Sequence, residues 1–209
     1  MLNKIRLESL SDGLFAIVLT LLVFQIKLPD VAGKVSNHEL LAMIVTLLPV
    51  LFGFVVSFFV LTMFWISHNF FYSYFAKTIN RQLVLLNLIY LGLISLIPFF
   101  AYLLGRFSYD SLAVVLYGLN IFAIGLMNVS ILSYALSSHE IDTSHLPPRL
   151  LVQAKIRGFL TPVCAFVGMV FSFIFIPAAL ALYAFPVLFN IIPGSLDLAQ
   201  KVFRFQIPQ

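Results

Sequence analysis

Between Glu39 and His68 the sequence carries no Asp, Glu, Lys or Arg, and most of the residues there are aliphatic or aromatic. Crossing the roughly 30 Å hydrocarbon core of a bilayer takes about 20 such residues in a helix. This run is long enough to tilt or to project past the bilayer. The rest of the chain agrees with it. Of 209 residues, 62% are hydrophobic and only 10% charged, against about 45–50% and about 25% in a soluble domain. A water-soluble fold of this size cannot hide that much apolar surface. The sequence therefore predicts an all-α integral membrane protein, because a lone spanning segment satisfies its backbone within itself only as a helix. The net charge of +4 is read as orientation signal at the span ends, not as a nucleic-acid surface.

Six spans are predicted, in one transmembrane domain over residues 1–209. They cover residues 7–28, closed by Pro29, then 39–68, 82–104 with Pro98 as a kink, and 112–136. The apolar stretch 158–192 is too long for one crossing. It is divided at Pro177 into spans 152–175 and 178–192. The segment 137–149 is the longest polar loop. It holds His139, Glu140, Asp142 and His145, whose spacing matches no established metal-ligand pattern.

Six spans place both termini on one side. That side then holds Lys4, Arg6, Lys77, Arg81, Arg149, Lys155, Arg157, Lys201 and Arg204, against Lys27, Lys34 and Arg106 on the other. The positive-inside rule makes the terminal side cytoplasmic. Five spans would move Lys201 and Arg204 across and weaken the asymmetry. Lys4 and Arg6 ahead of an apolar stretch raise the question of a signal peptide. Glu8 and Asp12 interrupt the stretch and no small-x-small cleavage site follows, so a retained first helix is expected. The single cysteine, Cys164, excludes an intrachain disulfide.

Ionisable groups inside spans are costly and mark functional candidates. They concentrate in Arg6-Leu7-Glu8-Ser9-Leu10-Ser11-Asp12-Gly13. Glu8 and Arg6 suit an interfacial helix end, where long charged side chains snorkel. Asp12 is too short to do so and is expected to point into protein. At about 100° per residue, Arg6, Leu10, Ile17, Leu21, Phe24 and Leu28 fall on one stripe. Ser9, Gly13, Ala16, Thr20 and Lys27 lie beside it, and Asp12 lies roughly 140° from Ile17. Such a stripe suits either a pore lining or a helix–helix contact. Trp65, His68 and Asn69 lie at a depth matching Asp12, which predicts an Asp12–His68 hydrogen bond sealed from lipid by Trp65.

Arg6-x-x-x-Leu10-Ser11-Asp12-Gly13, followed by Phe15-Ala16-Ile17 and Thr20-Leu21-Leu22, resembles the signature of the transmembrane protein 175 family. These are the potassium channels of endosomes and lysosomes and their bacterial homologues. The family pattern is Arg-x-x-x-Phe-Ser-Asp, and Leu10 stands here where the pattern has Phe. Trp65, His68, Asn87 and Pro98 extend the resemblance. It implies a homotetramer of six-helix subunits in the bacterial plasma membrane, with helix one lining a central pore. It implies that Arg6, Ser11 and Asp12, with Trp65 and His68, hold helices together. Ile17, Leu21 and Phe24 then form an apolar constriction with Thr20 beside them. Potassium is the permeant ion, and no resident cofactor, metal or enzyme activity is expected. Without a Thr-Val-Gly-Tyr-Gly run, such a neck selects by dehydration, which predicts weak, leak-like potassium selectivity.

The competing reading is a small secondary transporter with an Asp12/His68 proton relay. The lack of paired broken helices in matching halves weighs against it. A membrane hydrolase is disfavoured because neither a His-Glu-x-x-His nor a Gly-x-Ser-x-Gly motif is present.

Overall fold

The computed structural model describes residues 3–29, 33–141 and 146–192. Its helices are α1 (Lys4–Leu21), α2 (Asn37–Thr46), α3 (Leu48–Tyr74), α4 (Arg81–Ser95), α5 (Ile97–Arg106), α6 (Ser111–Ser137), α7 (Pro148–Phe171) and α8 (Ile176–Ile191). A 3₁₀ turn, Leu22–Gln25, prolongs α1. Among the described residues, five apolar helical stretches are long enough to cross a membrane: Lys4–Gln25, Leu48–Tyr74, Arg81–Arg106, Ser111–Ser137 and Pro148–Phe171. The 16 residues of α8 rise only about 24 Å.

Prolines and caps explain most of the boundaries. The predicted span 39–68 is two helices, broken at Leu47, because Pro49 lacks an N–H and its ring crowds the carbonyl four residues back. Helix α3 then runs to Tyr74, past the predicted end at residue 68. Pro98 acts the same way and separates α4 from α5 at Leu96, at the predicted kink. Asn3, Ser36, Asn80 and Asp110 each accept a backbone N–H at the start of a helix, which satisfies a donor that has no partner within the helix.

Helix α1 packs against α3 and α4, α3 against α5 and α8, and α6 against α4, α5, α7 and α8. Small residues bring the backbones close, as lipid-embedded helices require. A methyl group on Gly53 of α3 would lie 3.3 Å from the Gly105 Cα of α5. One on Gly125 of α6 would lie 2.8 Å from Pro162 Cδ of α7. Gly118 and Gly168 leave room for the buried Tyr183 ring, whose hydroxyl donates to the Val114 carbonyl at 3.1 Å. Two other buried polar groups are paired across helices: Ser57 Oγ donates to Tyr117 Oη at 3.1 Å, and Asn120 Nδ2 to the Leu93 carbonyl at 3.2 Å, whereas the buried Tyr72 hydroxyl has no partner among the described residues. Large apolar side chains such as Phe52, Phe99, Phe166 and Phe173 are exposed, which is the arrangement a hydrocarbon solvent favours.

Candidate functional site

Helix α1 has two faces of opposite character. Leu7, Ser11, Phe15 and Val18 recur at three- and four-residue spacing and are buried, followed by Leu22 in the 3₁₀ turn. Leu10, Ile17, Leu21 and Phe24 are exposed on the subunit, Ile17 by 60% and Phe24 by 67%.

The buried face carries a polar chain. Ser11 Oγ donates to the Leu7 carbonyl at 2.8 Å and accepts from Asn87 Nδ2 of α4 at 3.2 Å. Asn87 Oδ1 lies 2.8 Å from His68 Nε2 of α3. An amide oxygen only accepts, so His68 carries its proton on Nε2. The donors then run in one direction, from His68 to Asn87 to Ser11 to Leu7. Aromatic rings enclose the histidine: Tyr90 stacks on it with centroids 5.7 Å apart, Tyr72 lies at 4.7 Å and Phe15 at 5.8 Å. One network thus joins three helices, and its hub, Asn87, is fully buried.

Asp12 lies elsewhere. It is exposed, and its Oδ1 accepts from the half-buried Trp65 indole Nε1–H at 2.9 Å. The expected Asp12–His68 hydrogen bond is therefore replaced by two separate ones, Asp12–Trp65 and His68–Asn87. The reason is angular: Ser11, one position back, faces the interior, and about 100° of rotation carries Asp12 to the rim. Arg6 is exposed and makes no hydrogen bond or ion pair among the described residues. Lys4 instead pairs with Glu8 at 3.7 Å and donates to the Tyr72 carbonyl at 2.7 Å.

On the outward face, the Thr20 hydroxyl donates to the Ile17 carbonyl at 2.7 Å, which leaves its oxygen lone pairs on the exposed side. The helical stripe ends at Phe24. Lys27 and Leu28 lie beyond the 3₁₀ turn, in irregular chain, and not on the extended wheel. Gln25 anchors this end by donating to the Pro98 carbonyl at 2.5 Å. In the 137–149 loop, Glu140 accepts from Asn80 Nδ2 at 2.6 Å, and its carbonyl accepts from the Thr78 hydroxyl at 2.9 Å. Asp142 and His145, like Lys201 and Arg204, lie outside the described residues. No metal-binding group of His, Cys, Asp or Glu occurs among the described residues.

Five long apolar helices with paired polar groups inside and aromatic side chains outside define a polytopic helical membrane protein. Residues 6–98 match the family model described as endosomal/lysosomal potassium channel TMEM175. A potassium channel from Streptomyces collinus is 37% identical over 93 residues, 44% of this chain and 43% of that one. The match thus spans less than half of that relative's length. A potassium channel from a Chryseobacterium species is 24% identical over 194 residues, 93% of this chain and 95% of that one. The crystal structure of a lysosomal potassium-selective channel TMEM175 homologue from Chamaesiphon minutus shares the fold. Its TM-score is 0.77 at 23% identity, over 90% of this chain and 95% of that one. Over residues 6–98 the chain is similar to the TMEM175 family, and over most of its length it shares the fold of that solved channel. Its named relatives are ion channels, not enzymes.

The sequence reading did not single out Asn87 as the hub, although a lone amide within an apolar helix was the available signal. It counted Arg157 only toward orientation.

Proposed function

We propose that several copies of this chain, four by family analogy, surround a pore that conducts potassium, with α1 of each copy facing the axis. The observation that carries this reading is the outward stripe of Ile17, Leu21 and Phe24, on a helix whose opposite face is fixed inside the subunit. Rings of these side chains form an apolar neck. An ion passing it sheds water without receiving carbonyl ligands, and potassium sheds water more cheaply than sodium. The selectivity is therefore weak, and dewetting of the neck closes the path. The Thr20 oxygen, with its proton committed to the Ile17 carbonyl, offers a passing cation lone pairs beside the neck. Ser11, Asp12, Trp65 and His68 act at one end of the bundle, to hold α1 in register, whereas the exposed Arg6 makes no such contact among the described residues. In this reading α8 completes six crossings, both termini face the cytoplasm, and the protein resides in a bacterial plasma membrane. No resident cofactor or metal takes part.

A proton-coupled carrier built on Asp12 and His68 is less well supported. The Asp12 partner is an indole N–H, which does not relay protons, and the His68 partner is an amide.

The test is ion flux through purified protein in liposomes, potassium against sodium, for the wild type and Ile17→Asn. Passive, non-saturating flux favouring potassium is expected, with the preference changed by the polar ring. Saturable flux that follows a proton gradient and ignores Ile17 would sink the pore reading.

A further inference from the structure

A cavity of about 350 Å³ lies between α3, α6, α7 and α8, on the far side of α3 from the α1 network. Gln153, Arg157 and Asn190 line it along with Ser67, Asn128 and Thr161, and Met63, Ile66 and Phe70 give it apolar surface. A liquid water takes about 30 Å³, so this space exceeds what one or two bridging waters fill.

Arg157 is the unusual member. It is half-buried and is the tenth residue of α7, after Arg149, Gln153 and Lys155 and before the apolar part of the helix. Among the described residues its one hydrogen bond runs from Nη1 to the Asn190 carbonyl at 3.3 Å, and no carboxylate lies within ion-pair distance. Most of its five donors thus have no acceptor among the described residues. A half-buried guanidinium with unfilled donors is well matched to an anionic partner.

The depth of the site indicates what that partner is. Asn190 is in the last turn of α8, and Phe70 and Phe71 are in the last turns of α3. Arg157 therefore lies level with the ends of two apolar helices, where headgroups meet hydrocarbon. The rim is open on the outer surface of the subunit: Ile66 is 48% exposed and Ile191 49%. From Phe70 toward Met63 the wall runs along α3 into the apolar layer.

We propose that this cavity binds an anionic phospholipid, its phosphate on Arg157 with Gln153 and Asn190 at hand, and an acyl chain along Met63, Ile66 and Phe70. Planar guanidinium donors match phosphate oxygens in pairs, and basic pockets between spanning helices are suited to such headgroups. The site is separate from the α1 stripe and does not depend on the pore reading.

The experiment is thermal unfolding of the full chain in neutral detergent, titrated with short-chain phosphatidylglycerol, with phosphatidylcholine of the same chain length, or with inorganic phosphate. Phosphatidylglycerol is expected to raise the melting temperature saturably and the other two to leave it nearly unchanged. Arg157→Gln should abolish the specific shift. Arg157→Lys keeps the charge but loses the planar fork, and should weaken half-saturation about fivefold. The lysine variant also serves if the glutamine variant does not fold. Equal shifts with both lipids, a shift reproduced by inorganic phosphate, or half-saturation unchanged in the lysine variant would overturn the proposal.

Discussion

The two faces of α1 answer to different rules. On the inner face every polar group described is paired, and the apolar residues are packed to near-zero exposure: Phe15 at 1% and Val18 at 2%. On the outer face Ile17, Leu21 and Phe24 are exposed and touch no comparable partner within the subunit. A soluble helix would be polar outside. Here the outer stripe of Ile17, Leu21 and Phe24 is apolar, and the one polar side chain of the inner face, Ser11, is paired. The inner face therefore has to do with stability. The outer face carries little of it, as the proposed pore-lining role of that stripe requires.

The sharpest test of that division is a matched pair of truncations. Phe15→Ala should cost about 2–4 kcal/mol of stability. That is somewhat below the roughly 3–5 kcal/mol for the same change in a soluble core, since the unfolded reference within lipid is already apolar. Phe24→Ala, the same chemical change on the other face, should leave the melting temperature of the subunit nearly unmoved and alter ion flux. Thermal unfolding and liposome flux on both variants separate the roles. Equal destabilisation would erase the distinction between the faces.

A smaller effect is expected at the hub of the inner network. Asn87→Ala leaves the Nε2–H of His68 and a lone pair of Ser11 without partners in a buried site, a loss of about 1–3 kcal/mol. The double variant Asn87→Ala with Ser11→Ala should then cost less than the sum of the two singles, because the second substitution removes a group the first has already orphaned. Additive losses would show that the chain of hydrogen bonds is not a unit.

What the sequence made legible follows the same physics. The apolar runs and the prolines gave five of the six predicted spans and the α4–α5 break, since both act locally along the chain, while the sixth run became α8, shorter than the other five. Leu47 was harder to see, because a proline alone does not say whether a membrane helix kinks or divides into two. The α1 wheel gave the outward stripe as far as Phe24, and failed beyond it, where the 3₁₀ turn and irregular chain depart from 100° per residue. Asp12 and His68 were rightly read as lying at similar depth, but depth does not fix which side of a neighbouring helix a group meets. Trp65 and Asn87 took the two places, one at the rim and one inside. The role of Arg157 depends on the packing of four helices, which no single segment records.

The smallest expected effect concerns α2, a helix with no buried residue at all. With little packing to hold it, its first turn depends on the capping box. Glu39 Oε2 accepts from the Ser36 N–H and from the Ser36 hydroxyl, both at 2.8 Å, and Ser36 Oγ accepts from the Glu39 N–H at 3.3 Å. The backbone hydrogen bond first, then the hydroxyl, hold the Glu39 carboxyl below the usual range. A carboxylate whose folded pKa is depressed stabilises above its unfolded value and loses that contribution as pH falls through the folded one. Amide exchange in the first turn of α2 should therefore be slower, relative to its intrinsic rate, at neutral pH than under acid conditions. Glu39→Gln should flatten that difference while leaving α1 and α3 unchanged. If the protection of α2 shows the same pH dependence in the variant, the capping carboxylate is not what orders it, and a polar contact outside the apolar layer matters even less than the contrast between the two faces of α1 implies.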